Sequence, residues 1–279
     1  MNKRVWLIRK LGATSLDGHA TFTNLAMKKF LGKLQFEKGS GIYEFSKNVY
    51  QSVGKVTKIE KSYASFGEDR VLSKYLKEMD GSYIDVGAGA PVNGSNTYMF
   101  YERGWRGITI DPIISLTKLH QKKRPLDKQI NACVTDQKDT LIEFYQFAAD
   151  DFSTNSINRV SELRQIGIFP KLKYSVPNIS LRDVAHFCNP KMPTLLSIDV
   201  EGGELNVLKS NNWDSCRPRV IAVEEWNSPI YSNTEVRMYL ESLDYRLTSR
   251  CFLTSIYVHL KYLQSIGENS EQNLGWFQP

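Results

Sequence analysis

Long apolar runs are missing from this chain. No window of about eighteen apolar residues occurs, so no segment reads as a membrane span. The basic start has an apolar stretch of only Val5 to Ile8, too short for the core of a secretory signal. Cysteine is scarce, and Cys133, Cys188, Cys216 and Cys251 form no Cys-x-x-Cys pair. That argues against a disulfide framework and against structural zinc, and it predicts reduced thiols and a cytoplasmic location. His19, His120, His186 and His259 show no His-x-x-x-His or triad spacing and read as structural or solvent-facing. A Gly-x-x-x-x-Gly-Lys-Ser/Thr phosphate loop is absent. Acids are scarce over residues 1–60, where only Asp17, Glu37, Glu44 and Glu60 occur.

What remains describes a globular enzyme-sized chain. Its 279 residues allow one large domain with an extension, and the boundary is set at 1–60 and 61–279. The extension is basic, and Thr21 to Leu34 can form an amphipathic helix. Its ordinary apolar face favours packing on a sheet with a solvated basic side. A substrate lid, a dimer arm and a peripheral membrane contact are the other uses of such a helix. The net charge of +6 suits an anionic partner only weakly.

From residue 62 onward, strand and helix alternate. Helices are predicted over Glu68–Met79, Thr97–Arg103, Ile113–Lys123, Leu181–Phe187, Glu204–Lys209 and Thr234–Leu243. Strands are predicted over Ser82–Val86, Gly107–Asp111, Lys128–Val134, Leu141–Phe147, Thr194–Asp199, Val220–Glu224, Tyr245–Thr248 and Phe252–Val258. Residues 150–178 are polar, aperiodic and broken by Pro170 and Pro177, so they read as a lid or binding loop. The pattern predicts an α/β fold with a doubly wound, mostly parallel sheet and an antiparallel closing strand.

Ligands of such sheets bind at the carboxyl ends of the strands. There, Asp85 ends the first strand and Gly87 and Gly89 follow. Glycine lets a backbone approach a ligand closely. Asp111 ends the second strand 26 residues after Asp85, where an acid can bind ribose hydroxyls. Val92 stands where a dinucleotide fingerprint would place its third glycine. The loop therefore suits a nucleoside without a pyrophosphate, such as S-adenosylmethionine. Asp85, Gly87, Ala88 and Asn96 are expected beside the methionine and ribose, and Asn131 and Ala132 beside the adenine.

A second constellation is acidic. Asp199 and Glu201 lie at the tip of the fourth parallel strand, and Glu224 and Glu225 at the tip of the fifth. Methylation of an aliphatic hydroxyl requires alignment and removal of a proton. Asp199, Glu201 and Glu224 are the candidates for a base or for ligands of Mg2+ or Mn2+, which take carboxylate oxygens. Glu204 is expected to be a solvated residue of the first helical turn. Trp105 and Trp213 are expected in packing, and Trp226 beside the substrate.

The motifs Ser65-Phe-Gly-Glu-Asp69, Tyr83-Ile-Asp-Val-Gly-Ala-Gly89, Ser95-Asn-Thr97, Gly104-Trp-Arg-Gly-Ile108 with Asp111-Pro112, and Leu196-Ser-Ile-Asp-Val-Glu-Gly-Gly-Glu204 resemble FkbM-type methyltransferases. The resemblance runs over about residues 62–226. It implies a class I (Rossmann-like) S-adenosylmethionine fold and O-methylation, often of sugar hydroxyls in bacterial glycans or natural products. A carbohydrate or glycoconjugate acceptor is thus expected. The chain departs from the family at Gly89-Ala90-Pro91, and it carries Asp111 where many members have Glu. A nicotinamide oxidoreductase shares such a sheet but needs closer approach to a pyrophosphate than Val92 promises. A nucleic-acid methyltransferase would carry an Asn/Asp-Pro-Pro-Tyr/Phe motif where Val200-Glu-Gly-Gly203 stands. A silent binding module would take no cofactor.

Overall fold

The computed structural model describes residues 61–185, 193–225 and 233–267. The predicted helix at Thr21 to Leu34, and Trp226, His19, His186 and Cys188, lie outside the described residues. No helix among the described residues is long and apolar enough to cross a membrane.

Ten strands and eight α-helices are described. In chain order they are α1 (Glu68–Tyr75), β1 (Ser82–Val86), α2 (Tyr98–Glu102), β2 (Arg106–Ile110), α3 (Ile114–Lys123), β3 (Lys128–Ile130), β4 (Cys133–Val134) and β5 (Leu141–Gln146). Then come a 3-10 turn (Asp150–Phe152), α4 (Ile157–Gln165), β6 (Leu172–Ile179), α5 (Leu181–Ala185), β7 (Leu195–Ile198) and α6 (Glu204–Lys209). The chain continues with β8 (Val220–Glu224), α7 (Glu235–Glu241), β9 (Tyr245–Cys251), β10 (Thr254–His259) and α8 (Leu260–Ser265).

Seven strands form one sheet in the order β3-β2-β1-β7-β8-β10-β9. The first five run parallel, and β10 is antiparallel to both of its neighbours. This is the class I methyltransferase arrangement with the predicted antiparallel closing strand. Successive side chains of a strand point to opposite faces, and both faces here are covered. Ile84, Val86, Ile108, Ile110, Leu196 and Ile198 pack on one side with Leu181, Val207, Leu208 and Leu240 from α5, α6 and α7. Tyr83, Leu195, Val220 and Ala222 pack on the other with Leu72 of α1, Leu76 just after it, Phe100 of α2 and Leu263 of α8. That double burial explains why these strands read as unbroken apolar runs. Trp105 and Trp213 lie in this packing, as expected.

Two predicted elements are corrected. The single strand over Lys128–Val134 is two strands in two sheets. The Asn131 side-chain amide donates to the Asp111 carbonyl (2.8 Å) and ends the pairing with β2, so β4 leaves to pair with β6. Residues 150–178 are not an irregular lid. They contain the 3-10 turn, α4 and β6, and β6 is the central strand of a second sheet, β4-β6-β5. Helix α4 is anchored by only two fully buried apolar residues, Val160 and Leu163, against Tyr145 and Phe147. Such a sparse period is hard to see in a polar sequence. Pro177 is tolerated in β6 because β4 flanks that strand only at Asn178 and Ile179. Helix α1 also stops at Tyr75, short of Met79.

A buried polar network ties the β1–β2–β3 half of the sheet together. Arg124, fully buried, pairs with Asp127 at 2.7 Å and donates to the Tyr83 hydroxyl (2.7 Å) and to Thr97 Oγ1 (3.0 Å). Asp127 also accepts from the Gly107 amide at 2.8 Å. Removing one partner of a buried ion pair leaves an uncompensated charge and costs about 3–5 kcal/mol. Asp127→Ala is therefore expected to lower unfolding stability by about that amount in a urea titration, and a loss below about 1 kcal/mol would show that the network is not a support.

Candidate active site

The site forms where the tips of β1, β2, β7 and β8 share one edge. The turn after β1 comes first. Gly87 has φ 72°, and a Cβ there would lie 1.7 Å from the Asp199 carbonyl oxygen. The close approach that Gly87 permits is therefore to the tip of β7, not only to a ligand. The Asp199 amide also donates to the Val86 carbonyl at 2.9 Å. This turn thus fixes Asp199 beside the β1 loop.

The loop amides are already engaged. Gly87 and Ala88 donate to the Ile110 carbonyl (2.9 and 3.1 Å), and Gly89 donates to Asp111 Oδ2 (3.0 Å). Asp111 Oδ1 accepts from Ile113 at 2.8 Å at the start of α3. Asp111 is 7% exposed, and burial raises its carboxyl to about 7, with the charges of Asp150 and Asp85 adding to the rise. His120, also buried, donates from Nε2 to the Gly89 carbonyl at 3.1 Å. Burial, with the Arg124 charge, lowers its pKa to about 4 and keeps it neutral. The histidine read as structural or solvent-facing is thus a brace of the glycine loop.

The other expected cofactor residues are placed as follows. Asp85 is fully buried, and its carboxylate accepts from Thr97 Oγ1 at 2.5 Å on the edge of the Arg124 network. Burial raises its pKa against the Arg124 charge. Asp85 shapes the turn from beneath. Asn96 is half-buried and donates to Ser197 Oγ at 3.3 Å, joining the approach to α2 with β7. Its neighbour Ser95, not Asn96, accepts the Tyr98 amide at the start of α2 (3.1 Å). Asn131 and Ala132 follow β3, and the Ala132 methyl lies in the core.

Asp199, Glu201 and Glu224 come together: one carboxylate oxygen of each lies within 4.8 Å of the others. Asp199 is exposed, whereas Glu201 and Glu224 are buried. Glu201 takes a left-handed conformation, φ 59°, which few residues other than glycine adopt. It is held there from the second sheet. Thr154 Oγ1 donates to its carbonyl at 2.9 Å, and Arg159 of α4 lies 3.5 Å from its carboxylate. Burial raises the Glu224 pKa strongly, and the neighbouring charges of Asp199 and Glu201 raise it further.

Two neighbouring acids belong elsewhere. Glu204 is not solvated. It is 9% exposed and accepts from the Gly202 (2.9 Å) and Val200 (3.3 Å) amides, so it braces the turn that carries Glu201. Glu225 accepts from Thr234 and from the Tyr257 hydroxyl (2.9 Å), binding β8 to α7 and β10. Thr154 and Arg159 were not legible as site residues, because no motif joins them to Glu201 along the chain.

Gly87→Ala is expected to displace Asp199, since a methyl group cannot share the space of its carbonyl and φ 72° disfavours alanine. A crystal structure of the variant with Asp199 unmoved would overturn this dependence.

Solved structures with a similar chain course include a TehB-like SAM-dependent methyltransferase from Corynebacterium glutamicum, with 10% identity, a TM-score of 0.37, and coverage of 78% of this chain and 97% of that one. A methyltransferase from Geobacter sulfurreducens has 10% identity, a TM-score of 0.39, and coverage of 87% and 100%. The 1,6-didemethyltoxoflavin-N1-methyltransferase of Burkholderia thailandensis, solved with 1,6-didemethyltoxoflavin and S-adenosylhomocysteine, has 10% identity, a TM-score of 0.37, and coverage of 88% and 90%. No curated protein matches the sequence. The family model for the methyltransferase FkbM domain matches residues 85–247, more than half of the chain, from the turn of β1 through β8 into β9. With the glycine turn and the carboxylate tips both inside the matched span, the chain belongs to the FkbM methyltransferase domain family.

Proposed function

We propose that this protein methylates a hydroxyl group of a carbohydrate or glycoconjugate, with S-adenosylmethionine as the methyl donor. The observation that carries this reading is the three-carboxylate cluster at the tips of β7 and β8, placed against the Gly87 turn. An aliphatic hydroxyl is a weak acid, and its methylation needs a group that takes the proton as the oxygen attacks. Asp199 is the exposed member and can meet the acceptor, with Glu201 and Glu224 buried beside it.

The residues fit a nucleoside cofactor without phosphates. Anion sites at such loops use outward-pointing backbone amides. Here the amides of Gly87, Ala88 and Gly89 are taken by Ile110 and Asp111. That favours S-adenosylmethionine over a nicotinamide dinucleotide. When bound, S-adenosylmethionine supplies a methyl group on a sulfonium centre. Asp111 would hold the ribose hydroxyls, and Asn131 and Ala132 would border the base.

An apolar platform near the same edge suits the acceptor. Phe66 and Phe252 are each 51% exposed, with ring centroids 4.5 Å apart. Phe252 lies in the turn before β10, whose Thr254 pairs with Glu224. Exposed aromatic rings offer a flat face to the C–H side of a sugar ring.

Transfer of labelled methyl groups from S-adenosylmethionine to glycans extracted from the source cell tests the function. Asp199→Asn and Glu201→Gln are each expected to lower turnover about a hundredfold or more with cofactor binding kept. Near-normal turnover in both would remove the cluster from the chemical step.

The Asp111 carboxyl gives a pH signature. Hydroxyl donors favour its ionised form, so cofactor binding lowers a pKa that stands at about 7 in the free protein. Affinity is therefore full above that value and falls as pH drops below it, because protons compete with the bound state. Calorimetry between about pH 5.5 and 8 should show this fall, and Asp111→Asn should flatten it while weakening binding roughly ten- to hundredfold. An unchanged profile in the variant would assign the ribose to another group.

A further inference from the structure

We propose that Asp199, Glu201 and Glu224 form a binding site for one divalent cation of the magnesium or manganese type. The three carboxylate oxygens lie within 4.8 Å of one another and come from two adjacent strand tips. Oxygens 4.8 Å apart would stand about 2.8 Å from an ion at their centre, so a shift of under about 1 Å in each carboxylate brings all three to the oxygen–metal distance of about 2.0–2.1 Å that magnesium takes. All donors are carboxylates, which suits magnesium and manganese and disfavours zinc.

A second observation points to a ligand. Glu224 is 7% exposed, and its Oε2 is buried with no hydrogen-bond partner. A buried carboxylate oxygen without a donor is costly. The neighbours of Glu224 increase that cost, since both are acids. The opposite charge supplied by Arg159 sits at the Glu201 end, 3.5 Å from Oε2. Arg159 also pairs with Glu162 at 3.2 Å, so it offsets the acids of the cluster only in part. Tyr257 and Thr234 serve Glu225 instead of Glu224.

The site extends the functional proposal and rests on it for the role of the ion. A hydroxyl oxygen bound to the cation becomes more acidic, as metal-bound water does. The proton then passes to Asp199, the exposed member. The oxygen attacks the methyl carbon, and the carbon–sulfur bond breaks with its electron pair on sulfur. The methyl donor thereby loses its positive charge, and the acceptor becomes an ether.

Manganese alone is the probe. The full chain, treated with chelator and dialysed, is titrated with Mn2+ while the spin-resonance signal of the free ion is followed. One saturable site per chain is expected, displaced by Mg2+. Glu224→Gln and Asp199→Asn should each weaken it at least tenfold. The second variant alters an exposed side chain, so it reports even where the first fails to fold. Absence of saturable binding at millimolar Mn2+, or binding of equal strength in the Asp199→Asn variant, would overturn the site. Methyl transfer that survives chelation would also overturn the cation and leave the transferase reading standing. An ion bound as described, with no methyl transfer to any glycan, would sustain the site and overturn the acceptor.

Discussion

The contact that organises this molecule is the crossing of the Asp199 carbonyl over the α-carbon of Gly87. The register Asp85↔Ser197 and Val86↔Ile198 draws β7 alongside β1, and the missing side chain at Gly87 lets the two tips close. A larger residue would hold β7 away from the turn. Through that one contact the turn after β1 and the acids at the tips of β7 and β8 become parts of a single edge. The separation of the glycine turn from Asp199 is thus set by backbone packing, which is stiffer than side-chain placement.

The turn after β1 is stiffened from below. Asp85 is buried, with Thr97 donating to its carboxylate and the Arg124 charge nearby. Arg124 in turn answers to Tyr83, Thr97 and Asp127, which belong to β1, the start of α2 and the approach to β3. A buried ion pair contributes little net stability, but a broken one is costly. The network therefore works as a register device: the strands that carry Gly87 and Asp111 can pair in only one way without stranding a charge. His120 adds a neutral donor to the Gly89 carbonyl, which completes the hydrogen bonding of the loop without adding charge near Asp111.

Much of this was written in local patterns. The spans Ser82–Val86, Glu204–Lys209 and Val220–Glu224 follow from apolar runs and glycine breaks, and the structure keeps the same bounds. The carboxylates of Asp199, Glu201 and Glu224 could be placed on one edge because parallel strands put equivalent tips together. Other features depend on contacts that no period records. Strand three divides at Asn131 because a side-chain amide competes for the Asp111 carbonyl, a choice made by the fold and not by propensity. The burial of Glu204 was also hidden, since a glutamate in a first helical turn looks the same whether solvated or folded back on the turn's amides. Its carboxylate faces the Val200 and Gly202 amides, and burial raises its pKa.

The polar stretch before β6 shows why composition misled. Its length and lack of period suggested an irregular loop, yet it folds as a 3-10 turn, α4 and β6 and touches Glu201 at fixed points. Thr154, fully buried, bridges to Tyr145 of β5 and donates to the Glu201 carbonyl. Arg159 sits five residues further on, in the first turn of α4, and faces the Glu201 carboxylate, and a side chain on Gly202 would meet its Cβ at 3.4 Å. Glu201 holds a left-handed backbone, which costs on the order of 1–3 kcal/mol and persists only where surroundings enforce it. The enforcement comes from this second layer. Glu201 is thus positioned jointly by the main sheet, which supplies its strand tip, and by the segment from Thr154 to Arg159, which fixes its backbone and its charge. Variation in that segment would then move the Glu201 backbone and change the charge facing its carboxylate.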